Sequence, residues 1–107
     1  MARTPLDAKR VINEAAVIAD AEGLDAVTLT RVADRLGVRQ PALYRHVEGY
    51  DDLIRSLGLR GRELLADRLS TAAQGVAGPD VVRALGHAWR GVVRDAPGLY
   101  AATDRYP

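Results

Sequence analysis

Cysteine is missing from this 107-residue chain, lysine occurs once, as Lys9, and tryptophan once, as Trp89. The first absence excludes disulfides, thiolate metal sites and a cysteine nucleophile. Long apolar runs are missing too. The longest, residues 15–19, holds five residues, against the ~20 that a bilayer-spanning helix needs. The opening residues, Met1-Ala2-Arg3-Thr4-Pro5, lead into a charged helical pattern and do not read as a signal peptide. A cytoplasmic protein with no membrane partner is expected.

Catalytic groupings are equally scarce. The serines are Ser56 and Ser70 and the histidines His46 and His87, with no spacing that brings a nucleophile to a base. Asp51 and Asp52 are neighbours on a helical pattern, where adjacent side chains diverge. Gly75-Val76-Ala77-Gly78 precedes neither a lysine nor a βαβ pattern, so it is no phosphate loop. His87 shares an outer face with Arg83, Arg90 and Arg94, which reads as solvated surface. Nothing here supports an enzyme, a cofactor or a metal site.

What remains is 48% hydrophobic and 27% charged, with a net charge of +1. This is the composition of a globular chain, since disorder goes with fewer apolar residues and a larger net charge. The length suits one domain, or a small domain joined to part of another. Charge is unevenly placed. Residues 28–47 carry Arg31, Arg35, Arg39 and Arg45 against Asp34 alone, whereas residues 1–27 are acidic on balance. A basic island of this kind marks either a polyanion contact or an ordinary solvated surface.

The periodicity is helical throughout, and no segment alternates as a strand does. Thr4 and Pro5 form a helix start, followed by an apolar stripe of Ile12, Ala15, Ala16 and Ala19, with a stop at Gly23. Leu24 and Val27 follow as connecting core residues. A short second helix opens at Thr28 as its cap, turns Val32, Ala33 and Leu36 inward and ends at Gly37. Val38 plugs the turn. A third helix has Pro41 in its first turn. At 100° per residue Leu43 and Val47 face the core, Pro41 and Arg45 point away, Ala42 and Tyr44 flank them, and Gln40 and His46 lie at the margins.

A long fourth helix opens on Asp51 and Asp52, with an inner face of Leu53, Ile54, Leu57, Gly58, Gly61, Leu64, Leu65 and Ala72. Two glycines on an inner face imply a close helix crossing or a bend. Leu59 and Ala66 lie opposite. Residues 74–79 form a Gly/Pro-rich link, and a fifth helix from about Asp80 to Arg94 carries a stripe of Val81, Val82, Leu85, Ala88, Trp89, Val92 and Val93. Pro97 stops it, and Leu99-Tyr100-Ala101-Ala102 starts a sixth. The fold class is all-α.

A bracing helix followed by two short helices with a tight glycine turn is the helix-turn-helix plan, whose second helix enters the DNA major groove. The outward residues suit that task. Arg45 can donate two hydrogen bonds to guanine, Gln40 can read adenine, and Ala42 offers a methyl to thymine. Tyr44, His46 and Thr30 suit phosphate oxygens, as do Arg31 and Arg39 flanking the turn. The same pattern also fits a plain three-helix bundle with a polar surface.

The residues themselves separate these readings. Thr28-Leu29-Thr30-Arg31-Val32-Ala33-Asp34-Arg35-Leu36-Gly37-Val38 and Arg39-Gln40-Pro41-Ala42-Leu43-Tyr44-Arg45-His46-Val47, followed by Asp51-Asp52-Leu53-Ile54, resemble the tetracycline-repressor family of bacterial transcription regulators. The likeness covers roughly residues 6–57 and is closest to tetracycline repressors proper. Beyond it, Trp89-Arg90 and Pro97-Gly98-Leu99-Tyr100 are similar to one class of the family's ligand-binding domains. The resemblance implies a homodimer that binds a palindromic double-stranded DNA operator and leaves it when a small-molecule effector enters the C-terminal domain. By position, Gln40, Pro41, Ala42, Tyr44 and Arg45 would meet bases or nearby backbone, and Thr28, Thr30 and His46 would meet phosphates. Tyr50 departs from a lysine frequent in the family.

Residues 1–56 are accordingly expected to form a helix-turn-helix DNA-binding domain, and residues 57–107 the incomplete start of a helical effector-binding and dimerisation domain. The family's greater length implies that this chain is part of a longer one. The fourth helix is expected to be the only packed connection between the two parts. The alternative function is a small all-helical protein-interaction module.

Overall fold

Short polar side chains set where the helices begin. Asp7 accepts a hydrogen bond from the Arg10 N–H (2.8 Å) and starts α1 (Ala8–Glu22). A carboxylate held in extended backbone three residues before an unpaired N–H is the better cap, so the helix begins later than a Thr4–Pro5 start would place it. Thr4 lies outside residues 5–105, the part that the computed structural model describes. Thr28 accepts from the Arg31 N–H (3.0 Å) and starts α2 (Leu29–Leu36), as its position predicts. Gly37 ends α2 in the left-handed conformation, φ 70° and ψ 29°, which a residue with a Cβ adopts only at a cost. A single 3-10 turn, Leu24–Ala26, joins α1 to α2.

The third helix is not α-helical. Gln40–Arg45 is a 3-10 helix of six residues. Its ends close by bonds three residues back, from Ala42 N–H to the Arg39 carbonyl (3.0 Å) and from His46 N–H to the Leu43 carbonyl (2.9 Å). Leu43 and Val47 are nevertheless buried, as the helical spacing predicts. Val47 N–H reaches back to the Leu43 carbonyl (3.0 Å) and sets both side chains on the core.

Three longer-range elements follow: α3 (Tyr50–Ala73), α4 (Pro79–Asp95) and α5 (Pro97–Ala102). Asp52 in the first turn of α3 accepts from the Glu48 N–H (2.9 Å) and fixes the approach to that helix. At the far end of α4, Asp95 accepts from Arg94 (3.0 Å), which holds its carboxyl below the usual carboxylate range.

One apolar core joins all of this except most of α4. It contains Val11, Ala15, Ala16, Ile18 and Ala19 of α1, Leu24 and Val27 of the connection, and Val32 and Ala33 of α2. Leu29, Leu43, Val47, Leu53, Ile54 and Leu57 also belong to it, while Ala96, Leu99 and Ala102 enter the same cluster from the C-terminal end. Val11 and Ile18 belong to this core, whereas Ile12 only packs against its edge. The α4 stripe does not become core. Val92 is buried, but Val82 is 75% exposed, Trp89 43% and Val93 39%. Val81, Leu85 and Ala88 are half-buried and Trp89 packs on Tyr100, so the stripe is covered only in part.

Three glycines let α5 sit against both α1 and α3. A Cβ on Gly58 would lie 2.7 Å from the Ala102 carbonyl oxygen, and one on Gly61 would collide with the Leu99 carbonyl. On the other side, a Cβ on Gly98 would collide with the Ala19 backbone. Gly58 and Gly61 thus mark a close crossing rather than a bend. Asp20 of α1 then caps α5, accepting from the N–H groups of Gly98 (2.9 Å) and Leu99 (3.1 Å). The expectation that α3 alone connects the two parts is therefore corrected: α5 is a second packed connection. Residues 20 and 98 are far apart in sequence, and no local pattern reveals their contact.

Candidate nucleic-acid interface

The 3-10 helix Gln40–Arg45 presents its outer side to solvent because Leu43 anchors the inner side. Pro41 and Arg45 are exposed and Tyr44 is 52% exposed, while Ala42, Gln40 and His46 are half-buried. That distribution matches the arrangement read from spacing. A period of three residues aligns Gln40 with Leu43, which turns Gln40 toward α2. There the Thr30 hydroxyl donates to Gln40 Oε1 (3.0 Å), and Gln40 Nε2 donates to the Tyr44 hydroxyl (3.4 Å). Thr30, Gln40 and Tyr44 form one chain of polar groups on the outer surface.

The four arginines of the basic island divide in two. Arg31 pairs with Glu22 and Arg35 with Glu14, both acids on α1. Arg39 and Arg45 make no ion pair among the described residues. The island therefore reduces to two unpaired guanidinium groups, one at each end of the 3-10 helix. Sequence reading registered the acidic balance of residues 1–27 but not which arginines it faces. That depends on how α1 crosses α2, and the charges carry no signal of it. Thr28 uses its oxygen as an acceptor at the α2 start, which leaves its own O–H free to donate.

Away from this surface, an open groove of about 570 Å³ lies between the end of α3 and α4. Ala72, Val76, Ala84 and Ala88 line it together with Asp80, Arg83 and His87. His87 and Arg83 are solvent-exposed, as expected, but also border this apolar space. Trp89 packs edge-on against Tyr100 at 6.3 Å between ring centres and donates to its hydroxyl (3.1 Å). Among the described residues no three metal-ligating side chains cluster, and no helix is long and apolar enough to cross a membrane.

Residues 11–57, which span α1, α2, the 3-10 helix and the first turns of α3, match the family model of bacterial regulatory proteins, tetR family. Over this segment the chain resembles the tetR family. The chain is 32% identical over 100 residues to an uncharacterized HTH-type transcriptional regulator, YobS, of Bacillus subtilis (strain 168), covering 94% of this chain and 52% of that protein. It is 31% identical over 102 residues to another uncharacterized HTH-type transcriptional regulator, Rv0681, of Mycobacterium tuberculosis (strain ATCC 25618 / H37Rv), covering 95% and 47%. Over 68 residues it is 37% identical to the HTH-type transcriptional repressor DrrR1 of Streptomyces coeruleorubidus, covering 64% of this chain and 22% of that one. The chain thus spans about half the length of the first two relatives. The matched segment ends at residue 57 within α3, and the groove beside α4 lies outside it.

Proposed function

We propose that this chain is the DNA-reading part, with the first regulatory helices, of a cytoplasmic transcriptional repressor. In this reading a homodimer binds a palindromic operator and a small-molecule effector releases it. The observation that carries the proposal is the outer surface of the 3-10 helix, where Arg45 and Arg39 are unpaired beside a preformed Thr30–Gln40–Tyr44 arrangement. Arg45 takes the base-reading role, with a guanidinium fork suited to guanine. Gln40, Pro41, Ala42 and Tyr44 meet bases or adjacent backbone, and Thr28, Arg39 and His46 meet phosphates. Arg31 keeps further N–H donors beyond the one on Glu22, but that carboxylate offsets its charge, which makes it the weaker clamp.

Residues 1–56 serve as the reading domain and residues 57–107 as the start of the regulatory one. Binding of an effector beside α4 would act on the reading domain through α3 and through α5, which touches α1. The exposed Val82, Trp89 and Val93 favour a second reading, a helical protein-interaction module, since an uncovered apolar face suits a protein partner. A gel-shift series on operator-selected and scrambled duplexes separates the two. The repressor reading requires retention of the selected duplex at concentrations that leave the scrambled one free. Equal retention of both, or of neither, would favour the interaction module.

A further inference from the structure

The sequence assigns Thr30 to a phosphate, but its single O–H is directed at Gln40 Oε1 (3.0 Å). A threonine hydroxyl has one proton to donate, and phosphate oxygens only accept, so a hydroxyl committed to Gln40 has nothing left for the backbone. At the other end of the same carboxamide, Nε2 donates to the Tyr44 hydroxyl (3.4 Å). These contacts come from two different elements, α2 and the 3-10 helix, so they fix the Gln40 amide plane against both. The valences left over are informative. Gln40 keeps one unused N–H on Nε2 and one unused lone pair on Oε1. An adenine edge in the major groove presents a matching pair, the N7 acceptor and the N6 amino donor.

We infer that Thr30 is a positioning residue for base reading: it holds the Gln40 carboxamide in the orientation that selects adenine, rather than binding the DNA backbone. This rests on the DNA-reading function proposed above. A long glutamine side chain loses rotamer freedom when a base fixes it. A carboxamide already held between two hydroxyls gives up less of that freedom when it meets a base. Thr30 would therefore influence which base is chosen without touching one.

The experiment selects duplexes from a random pool with the wild-type protein, then measures the base preference of Thr30→Val, Thr30→Ser and Gln40→Ala on the selected duplex and its single-base variants. Valine keeps the β-branched shape at this exposed site and removes the hydroxyl. A bidentate contact supplies adenine preference on the order of tenfold, and Thr30→Val is expected to reduce it by about threefold or more while Thr30→Ser retains it. In the Gln40→Ala background, Thr30→Val should add nothing, because both changes remove the same reading contact. Undiminished adenine preference in Thr30→Val overturns the inference. So does a uniform loss on all duplexes with the adenine preference unchanged, which would make Thr30 a phosphate contact. If the wild type enriches no sequence at all, the DNA-reading function itself fails, and the inference falls with it.

Discussion

At the scale of single residues, the separation of the arginines is the most consequential feature of the reading surface. Four of them look equivalent in composition, yet two are held by Glu14 and Glu22 and two are free to engage an anion. Exposed ion pairs of this kind are worth at most about 1 kcal/mol, so their effect lies in where positive charge remains available rather than in stability. The roles separate in measurement. Arg45→Ala is expected to cost about 1–3 kcal/mol on the selected duplex and to relax preference at one base pair per half-site. Arg39→Ala should weaken all duplexes alike and lower the salt slope by roughly one. Arg31→Ala should change that slope less than Arg39→Ala, because Glu22 already offsets its charge. Fluorescence anisotropy titrations on specific and scrambled duplexes over a salt series read all three. Equal losses on both duplexes for Arg45→Ala would make it a backbone clamp and leave base reading to Gln40, Ala42 and Tyr44.

At the scale of elements, the glycines show how α5 is seated. Gly61→Ala is expected to destabilise the fold by about 1–3 kcal/mol, because its new Cβ meets the backbone of α5 rather than a side chain able to move aside. Gly86→Ala in α4 should do the opposite and stabilise by roughly 0.5–1 kcal/mol, since nothing lies within 4 Å of its Cβ position and the site is helical. Asp20→Ala should cost roughly 1.5–3 kcal/mol through the two N–H groups of α5 that lose their charged acceptor. Urea denaturation of the three variants checks these values. A Gly61→Ala protein as stable as Gly86→Ala would contradict the close crossing.

Much of this architecture is legible in sequence for a physical reason. Thr28, Gly37, Leu43 and Val47 act through backbone chemistry and spacing within a few residues, so local reading recovers them. Asp7 and Thr4 are both competent caps by residue type, so local reading does not fix where α1 starts. The 3-10 winding of residues 40–45 leaves the same two side chains buried as an α-helix would, and so leaves no trace in the hydrophobic pattern. Gly98 and Asp20 are invisible for another reason: their partners come from the opposite end of the chain. The α4 stripe misled in the other direction, since amphipathic spacing states which face can be buried but not whether anything buries it.

At the scale of the whole molecule, the described residues extend 53 × 31 × 21 Å, with one core running from α1 into α5. In the proposed repressor, a signal arising beside α4 would have two routes to the reading surface, along α3 and across the contact of α5 with α1. The reading surface is small, and one copy offers only a handful of base-facing groups. Two copies related by a two-fold axis would double the contact and fix the spacing of the half-sites. The central claim is therefore a claim about DNA symmetry. Selection from a random duplex pool followed by sequencing tests it most directly. A two-fold dimer should enrich an inverted repeat whose half-site centres lie about one helical turn apart or somewhat more, near 34–36 Å or beyond. Recovery of a single asymmetric site bound by one copy, or of no enriched sequence, would contradict it.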